Sequence, residues 1–183
     1  VKKALFLDRD GILNKVVIRN GTVSSPWFLS EFEIMNEAIR VVEAAKALGY
    51  MTIVVTNQPD IERKKMNISE LEKIHELLNR IFPLDAILVC TSCDNSDFRR
   101  KPNPGMLFEA AKRFKINLED SFFLGDSEKD IIAGKRAGVK TILLQTDYNT
   151  NIHGIADYNI NTLSEVINIL MIHKVNKIKK RRS

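Results

Sequence analysis

The sequence predicts an α/β domain, a doubly wound parallel sheet with no cap domain inserted into it, and three observations carry that prediction. Short apolar segments alternate with helix-period segments along nearly the whole chain. The apolar segments are near-continuous runs, as strands buried on both faces are. Helix start and stop signals fall between them, leaving a helical connection between successive strands.

Ala4 to Leu7 reads as the first strand, followed by an irregular stretch from Asn14 to Glu33 with a turn at Gly21 and the bulky run Pro26-Trp27-Phe28. Asn36 to Leu48 reads as a helix with Ala38, Ile39, Val42, Ala45 and Leu48 on one face, stopped by Gly49. Tyr50 to Val55 is the second strand. Asn67 with Glu70, or Ser69 with Glu72, is spaced as a capping box for a helix to about Phe82, apolar at Leu71, Ile74, Leu78 and Ile81. Leu84 to Val89 is the third strand, and Pro104 suits the start of a helix to about Lys115. Ser121 to Leu124 is the fourth strand, Glu128 to Ala137 a helix ended by Gly138, and Val139 to Leu144 the fifth strand. Thr162 with Glu165 opens a last helix through about Met171. Residues 1–172 are expected to form the domain and 173–183 a basic, disordered tail.

At 183 residues the chain has room for one domain with a full core. Hydrophobic residues at 44% and charged residues at 28% are the balance of a globular protein. No apolar run approaches the roughly 20 residues that a spanning helix needs, and a signal-peptide pattern is missing, so a cytoplasmic protein without membrane contact is expected. Cys90 and Cys93 are too close in sequence to staple the fold, in keeping with a reducing compartment. The net charge of +5 is concentrated in six cations, Lys174, Lys177, Lys179, Lys180, Arg181 and Arg182, and the rest of the chain carries −1. Nucleic acid is therefore not expected on the body, and at most a weak contact through the tail.

In a doubly wound sheet, ligands bind beyond the carboxyl ends of the strands. The first strand ends in Asp8-Arg9-Asp10-Gly11. Residues two apart on a strand point the same way, so two carboxylates look into one crevice and repel each other. A hard cation such as Mg²⁺, held by carboxylates and a substrate phosphate, relieves that repulsion. An isolated Asp-x-Asp-Gly is as often a plain acidic turn. Here the second strand runs into Thr56-Asn57-Gln58, the third into a loop reaching Arg100-Lys101, and the fourth into Gly125-Asp126 with Asp130 one helical turn on. Singly, Thr56 reads as a turn hydroxyl, Lys101 as a solvated cation and Asp126 as a helix cap. Together at one sheet edge they argue for a site.

The segments FLDRDG (6–11), VVTNQ (54–58), RKPNPGM (100–106) and LGDSEKDIIAGKRAG (124–138) resemble the four motifs of the haloacid dehalogenase superfamily. The words DRDG and RKPxPGM are similar to its histidinol-phosphate and heptose-bisphosphate phosphatase branch. The resemblance covers about residues 3–172 and implies a Rossmann-like fold with Mg²⁺-dependent hydrolysis of a small phosphorylated metabolite through an aspartyl-phosphate. It implies Asp8 as nucleophile, Asp10 as acid then base, Thr56 as donor to a phosphoryl oxygen, and Lys101 as the charge that offsets Asp8 and the phosphoryl group. Asp8, Asp126 and the main-chain carbonyl of Asp10 would hold Mg²⁺, with Asp130 supporting the metal site or Lys101. Arg19, Asn57, Gln58 and Arg100 are the expected substrate contacts, Arg100 being where the family reads a second anionic group.

Two departures bear on substrate and metal. Relatives carry a zinc loop of a Cys-x-His pair and a Cys-x-Cys pair before the RKP motif; here Ser92 stands at the histidine, and Asp97 and Arg99 at the later cysteines. Cys90 and Cys93 alone do not close a tetrahedral site, so zinc is expected to be absent. Relatives also often follow Asn-Gln with Ser-Gly, where this chain has Pro59-Asp60. The intervals from Asp8 to Thr56 and from Thr56 to Lys101 have no room for a cap domain, so loops 14–31, 59–66 and 91–100 should shape an open site. They hold Arg19, Arg63, Lys64, Lys65, Arg99 and Arg100, which suit a substrate with a second anionic group. The first expectation is a sugar bisphosphate. Histidinol phosphate, a nucleic-acid end, and a catalytically silent phosphate-binding domain are the alternatives.

Overall fold

The computed structural model describes residues 2–152 and 154–182. Strands β1 (Lys3–Leu7), β4 (Tyr50–Asn57), β5 (Ala86–Cys90), β6 (Phe122–Gly125), β7 (Lys140–Leu144) and β8 (Tyr158–Ile160) form one sheet in the order β5-β4-β1-β6-β7-β8, every pair parallel. The order reverses at β1: the chain builds outward through β4 to β5, then returns to the other side of β1 for β6. That switch opens a crevice at the carboxyl end of β1.

Side-chain alternation on β1 sets the two layers. Leu5 and Leu7 pack with helices α1 (Asn36–Ala47), α2 (Ile68–Ile81) and α5 (Glu165–Arg182). Ala4 and Phe6 pack on the opposite face with α3 (Gly105–Phe114) and α4 (Glu128–Ala137). Ala4 to Leu7 are all fully buried, the condition a central parallel strand imposes. The same alternation turns Asp8 toward the face that holds α3 and α4. No described helix is long and apolar enough to cross a membrane.

The parallel sheet and the helix positions agree with expectation, and four details differ. Within 14–33, expected to be irregular, β2 (Val17–Arg19) and β3 (Thr22–Ser24) form an antiparallel hairpin. Its turn is Asn20-Gly21, both with positive φ (50° and 74°), a conformation asparagine and glycine adopt most readily. Strand β8 is three residues long and was not expected; the Asp157 carboxylate just before it accepts from the Thr141 amide at 2.7 Å. Neither capping box forms on α2, because Glu70 instead accepts from the Leu29 amide at 2.9 Å and from Lys73 at 2.6 Å.

The fourth concerns the carboxyl end. Helix α5 does not stop near Met171 but continues to Arg182, so the segment expected as a disordered tail is helical through that residue; Ser183 lies outside the described residues. Neither glycine nor proline interrupts 165–182. His173 packs edge-on against Phe122, with centroids 5.1 Å apart, and Lys177 pairs with Asp120.

Helix α5 is anchored by Leu170, fully buried, while Ile172 is 61% exposed. Leu170→Ala should destabilise the fold by about 2–5 kcal/mol and Ile172→Ala by no more than about 0.5 kcal/mol in urea titrations. Equal losses would mean that α5 is not docked through Leu170.

Candidate active site

Four strand ends meet in the crevice. The Asp8 amide donates to the Leu124 carbonyl at 2.9 Å, which ties the end of β1 to β6. Lys101 arrives from the loop after β5 and is clamped by Asn57: the Asn57 amide nitrogen donates to the Lys101 carbonyl at 2.9 Å, and its oxygen accepts from the Lys101 amide at 3.0 Å. The Lys101 ammonium, 3% exposed, then donates to Asp8 Oδ1 at 2.8 Å, Asp130 Oδ1 at 2.7 Å and the Val55 carbonyl at 2.8 Å. Three donors have three acceptors. Burial opposes its charge, but Asp130 and Asp8 outweigh that and hold the lysine above its ordinary range.

Asp130 sits in the first turn of α4, where its other oxygen accepts from the Ser127 amide and hydroxyl at 3.1 and 2.6 Å as part of a capping box. Asp8, Asp126 and Asp130 each offer a carboxylate oxygen, all within 4.8 Å of one another. Burial, then repulsion from Asp130, pushes Asp8 up to about 7 against the pull of Lys101. Burial with the charges of Asp8 and Asp130 pushes Asp126 well up too. One ammonium among three acids leaves negative charge in excess, and the donors are all hard oxygens. A divalent cation of the magnesium class fits that set. Gly11 (φ +86°) leaves the space: a β-carbon there would lie 1.9 Å from Asp126 Oδ2 and 2.7 Å from the Tyr148 hydroxyl.

The Asp10 side chain is outside that cluster. Its carboxylate accepts from Nε and Nη2 of the Arg9 guanidinium at 2.9–3.0 Å, the Asn14 amide at 2.9 Å, the Ser25 hydroxyl at 2.7 Å and the Gln58 amide at 2.8 Å. Burial alone would raise it, but Arg9 and these donors carry it below the usual carboxylate range. Arg9 is fully buried and its far nitrogen lies 3.4 Å from His75 Nε2. Burial and Arg9 push the His75 imidazole down to about 4, which leaves it neutral.

A cavity of about 460 Å³ opens over Asp8, Asp10, Lys101 and Asp126, walled by the β2–β3 hairpin on one side and α4 on the other. Asn57 and Arg100 reach it, joined at its rim by Arg63 and Lys129. Arg100 is held by the Ser92 carbonyl at 2.7 Å and Asn95 Oδ1 at 3.2 Å. Thr56 and Gln58 are buried behind it, the Gln58 amide donating to Thr56 Oγ1 at 2.9 Å. Arg19 is not brought to the cavity. Its guanidinium pairs with Glu31 at 2.6 and 3.0 Å and stacks on Trp27 at 3.9 Å, so it braces the hairpin instead. Arg99 is likewise spent on Glu109 at 2.9 Å. Trp27 packs against the core and donates to Asp60 at 2.7 Å, and Phe28 is exposed. The cysteines are free, with Cys90 Sγ 3.9 Å from Asp97 and Cys93 Sγ 3.4 Å from the Pro59 carbonyl. Arg9, Ser25, Lys129, Tyr148 and Asn149 were not singled out from sequence; Ser25 and Asn149 carry no local pattern, whereas Arg9 lies inside the first motif.

Residues 98–165 match the family model described as HAD-hydrolase-like. A D-glycero-beta-D-manno-heptose-1,7-bisphosphate 7-phosphatase of Helicobacter pylori is 38% identical over 149 residues, 78% of this chain and 83% of that protein. The chain belongs to the haloacid dehalogenase superfamily. Within it, the chain falls among the phosphatases: the Burkholderia mallei relative, 35% identical over 79% of this chain and 80% of its own, is named for the alpha anomer of the same heptose bisphosphate. The D,D-heptose 1,7-bisphosphate phosphatase of B. bronchiseptica, solved with magnesium and phosphate, superposes with a TM-score of 0.80 at 25% identity over 93% of this chain and 98% of that one.

The phosphatase site packs acids that share too little positive charge. Asp8 titrates near 7 when folded and near 3.9 when unfolded, so the metal-free folded state binds the extra proton between those values. Its stability should therefore fall as pH rises from about 4 to 7, with Asp126, also pushed up, adding to the fall. Thermal melts in chelator should show that fall, and Asp8→Asn should make it shallower. A profile as steep in the variant would remove Asp8 as its source.

Proposed function

We propose that the protein is a Mg²⁺-dependent phosphomonoesterase that removes one phosphate from a sugar bisphosphate, a D-glycero-D-manno-heptose 1,7-bisphosphate first among candidates. The observation that carries this reading is the convergence of Asp8, Lys101 and Asp126 in one cavity of a chain 38% identical to an enzyme of that name.

Asp8 attacks phosphorus, the bond to the leaving oxygen breaks, and an aspartyl-phosphate forms. Asp10 gives the leaving oxygen its proton, then takes one from the water that hydrolyses the intermediate. The structure holds Asp10 as a carboxylate under bonds from five donor atoms, a state suited to the second half-reaction; the first needs Asp10 to pick up a proton beforehand. Lys101 is fixed against Asp8 and faces the incoming phosphoryl charge. Thr56 Oγ1 accepts from Gln58, which leaves its own proton to donate to a phosphoryl oxygen. Mg²⁺, held by Asp8, Asp126 and the carbonyl of Asp10, would supply charge neutralisation at the phosphoryl oxygens.

The remote part of the substrate meets Arg100 and Lys129 at the rim, with Arg63 beside them paired to Asp60 at 3.3 Å. Cations there favour a second anionic group over the amine of histidinol phosphate, and arginine suits a phosphate through its paired donors. Zinc has no place in this reading, and the same bonds of Arg100 to Ser92 and Asn95 order the loop after β5.

A panel of phosphorylated metabolites assayed with Mg²⁺ should show a heptose bisphosphate turned over ahead of histidinol phosphate and of phosphorylated nucleic-acid ends. Asp8→Asn should lose several orders of magnitude with the fold intact; a variant keeping a tenth of the activity removes Asp8 as nucleophile. Asp10→Asn should slow breakdown more than formation, leaving aspartyl-phosphate visible by mass spectrometry. Elemental analysis should find less than one zinc per chain, and a stoichiometric zinc lost on replacing Cys90 and Cys93 would correct the reading of that loop.

A further inference from the structure

The loop after β7 grips Asp126 twice. The Tyr148 hydroxyl donates to Asp126 Oδ2, and the Asn149 amide nitrogen donates to the Asp126 main-chain carbonyl at 2.7 Å. Asn149, 2% exposed, is itself fixed: it also donates to the Leu144 carbonyl at 2.8 Å and accepts from the Thr146 amide at 2.8 Å. One residue anchors the loop to the backbone of β6 and β7, and its neighbour uses that anchor to reach the carboxylate.

From this geometry we propose that Tyr148 is a positioning residue that sets the carboxylate of Asp126 for a divalent cation, and so sets cation affinity. The proposal rests on the cation reading given above. A buried carboxylate beside Asp8 and Asp130 is pushed by like charges and would rotate away from them if nothing held it. The phenol takes one lone pair of Oδ2 and fixes the plane of the group, leaving Oδ1 free of that bond. The rotational freedom is thus lost on folding rather than on binding. The tight packing around Gly11 agrees, since that glycine admits Asp126 Oδ2 and the Tyr148 hydroxyl side by side. Ligand carboxylates held by such outer hydrogen bonds typically lose about 10–100-fold in metal affinity when the bond is removed.

The test is Mg²⁺ titration calorimetry on the full chain for wild type, Tyr148→Phe and Asp126→Asn. Tyr148 is 37% exposed, and the phenylalanine variant keeps its ring and removes only the hydroxyl. Tyr148→Phe should bind Mg²⁺ at least about tenfold more weakly. The Mg²⁺ concentration for half-maximal turnover should rise by a similar factor, with maximal turnover changing far less. Unchanged affinity overturns the proposal, and so does tighter binding, which would make the hydroxyl a competitor of the cation. A lowered melting temperature in chelator with unchanged affinity marks Tyr148 as a structural prop and also overturns it. If wild type binds no Mg²⁺, or Asp126→Asn binds as well as wild type, the cation reading itself falls, a result distinct from failure of the tyrosine alone.

Discussion

The ammonium of Lys101 lies out of water between Asp8 and Asp130, with the Val55 carbonyl as its third acceptor. Leaving any of these charges buried without the others is expensive, on the order of several kcal/mol per ion. The surrounding structure follows from keeping them together. Asn57 pins both backbone groups of Lys101, so the position of the charge is fixed by the end of β4 rather than by the length of a flexible side chain. Asp130 closes the capping box of α4 with the oxygen that Lys101 does not use. The start of that helix and the charge balance of the site are therefore one arrangement, and changing either disturbs both.

The two acids of the first motif live in different surroundings. Asp8 faces the α3 and α4 side, where charge of its own sign crowds it. Asp10 faces Arg9, Asn14, Ser25 and Gln58, a shell of donors only. These surroundings drive the proton affinities of the two carboxylates apart, Asp8 upward and Asp10 downward. The β2–β3 hairpin takes part in this division, since Ser25 links its exit to Asp10 while Arg19, beside its turn, pairs with Glu31 and stacks on Trp27.

The sheet and the positions of Asp8, Asp10 and Asp126 were legible because each lies at the end of a buried apolar run, and run and residue are adjacent in sequence; Lys101, eleven residues beyond β5, was marked only by its own short motif. A positive charge in a loop does not announce its partner, and Glu31, twelve residues on, holds Arg19 away from the cavity. Asn20-Gly21 is a hairpin signal, yet three-residue strands give too little alternation to count as strands. Glu70 had capping-box spacing but its carboxylate was taken by Leu29, a contact across 41 residues. Tyr148 and Asn149 meet Asp126 across 22 and 23 residues and belong to none of the four motifs, so nothing local marks them. The end of α5 was obscured by its charge, which says how the helix meets solvent and little about whether it forms.

Strand β1 is hydrogen-bonded on one side to β4 and on the other to β6, whose residues follow it by about 50 and 120 positions. A ribosome adds roughly 5–20 residues each second, so the wait for β6 lasts several seconds. Through that interval Ala4 to Leu7 has at most one of its two neighbours, and the nascent chain carries an apolar strand with an open edge. Tyr148 and Asn149 emerge later still. A chain halted before Phe122 would keep one edge of β1 unpaired, and that strand is the feature a chaperone would meet first.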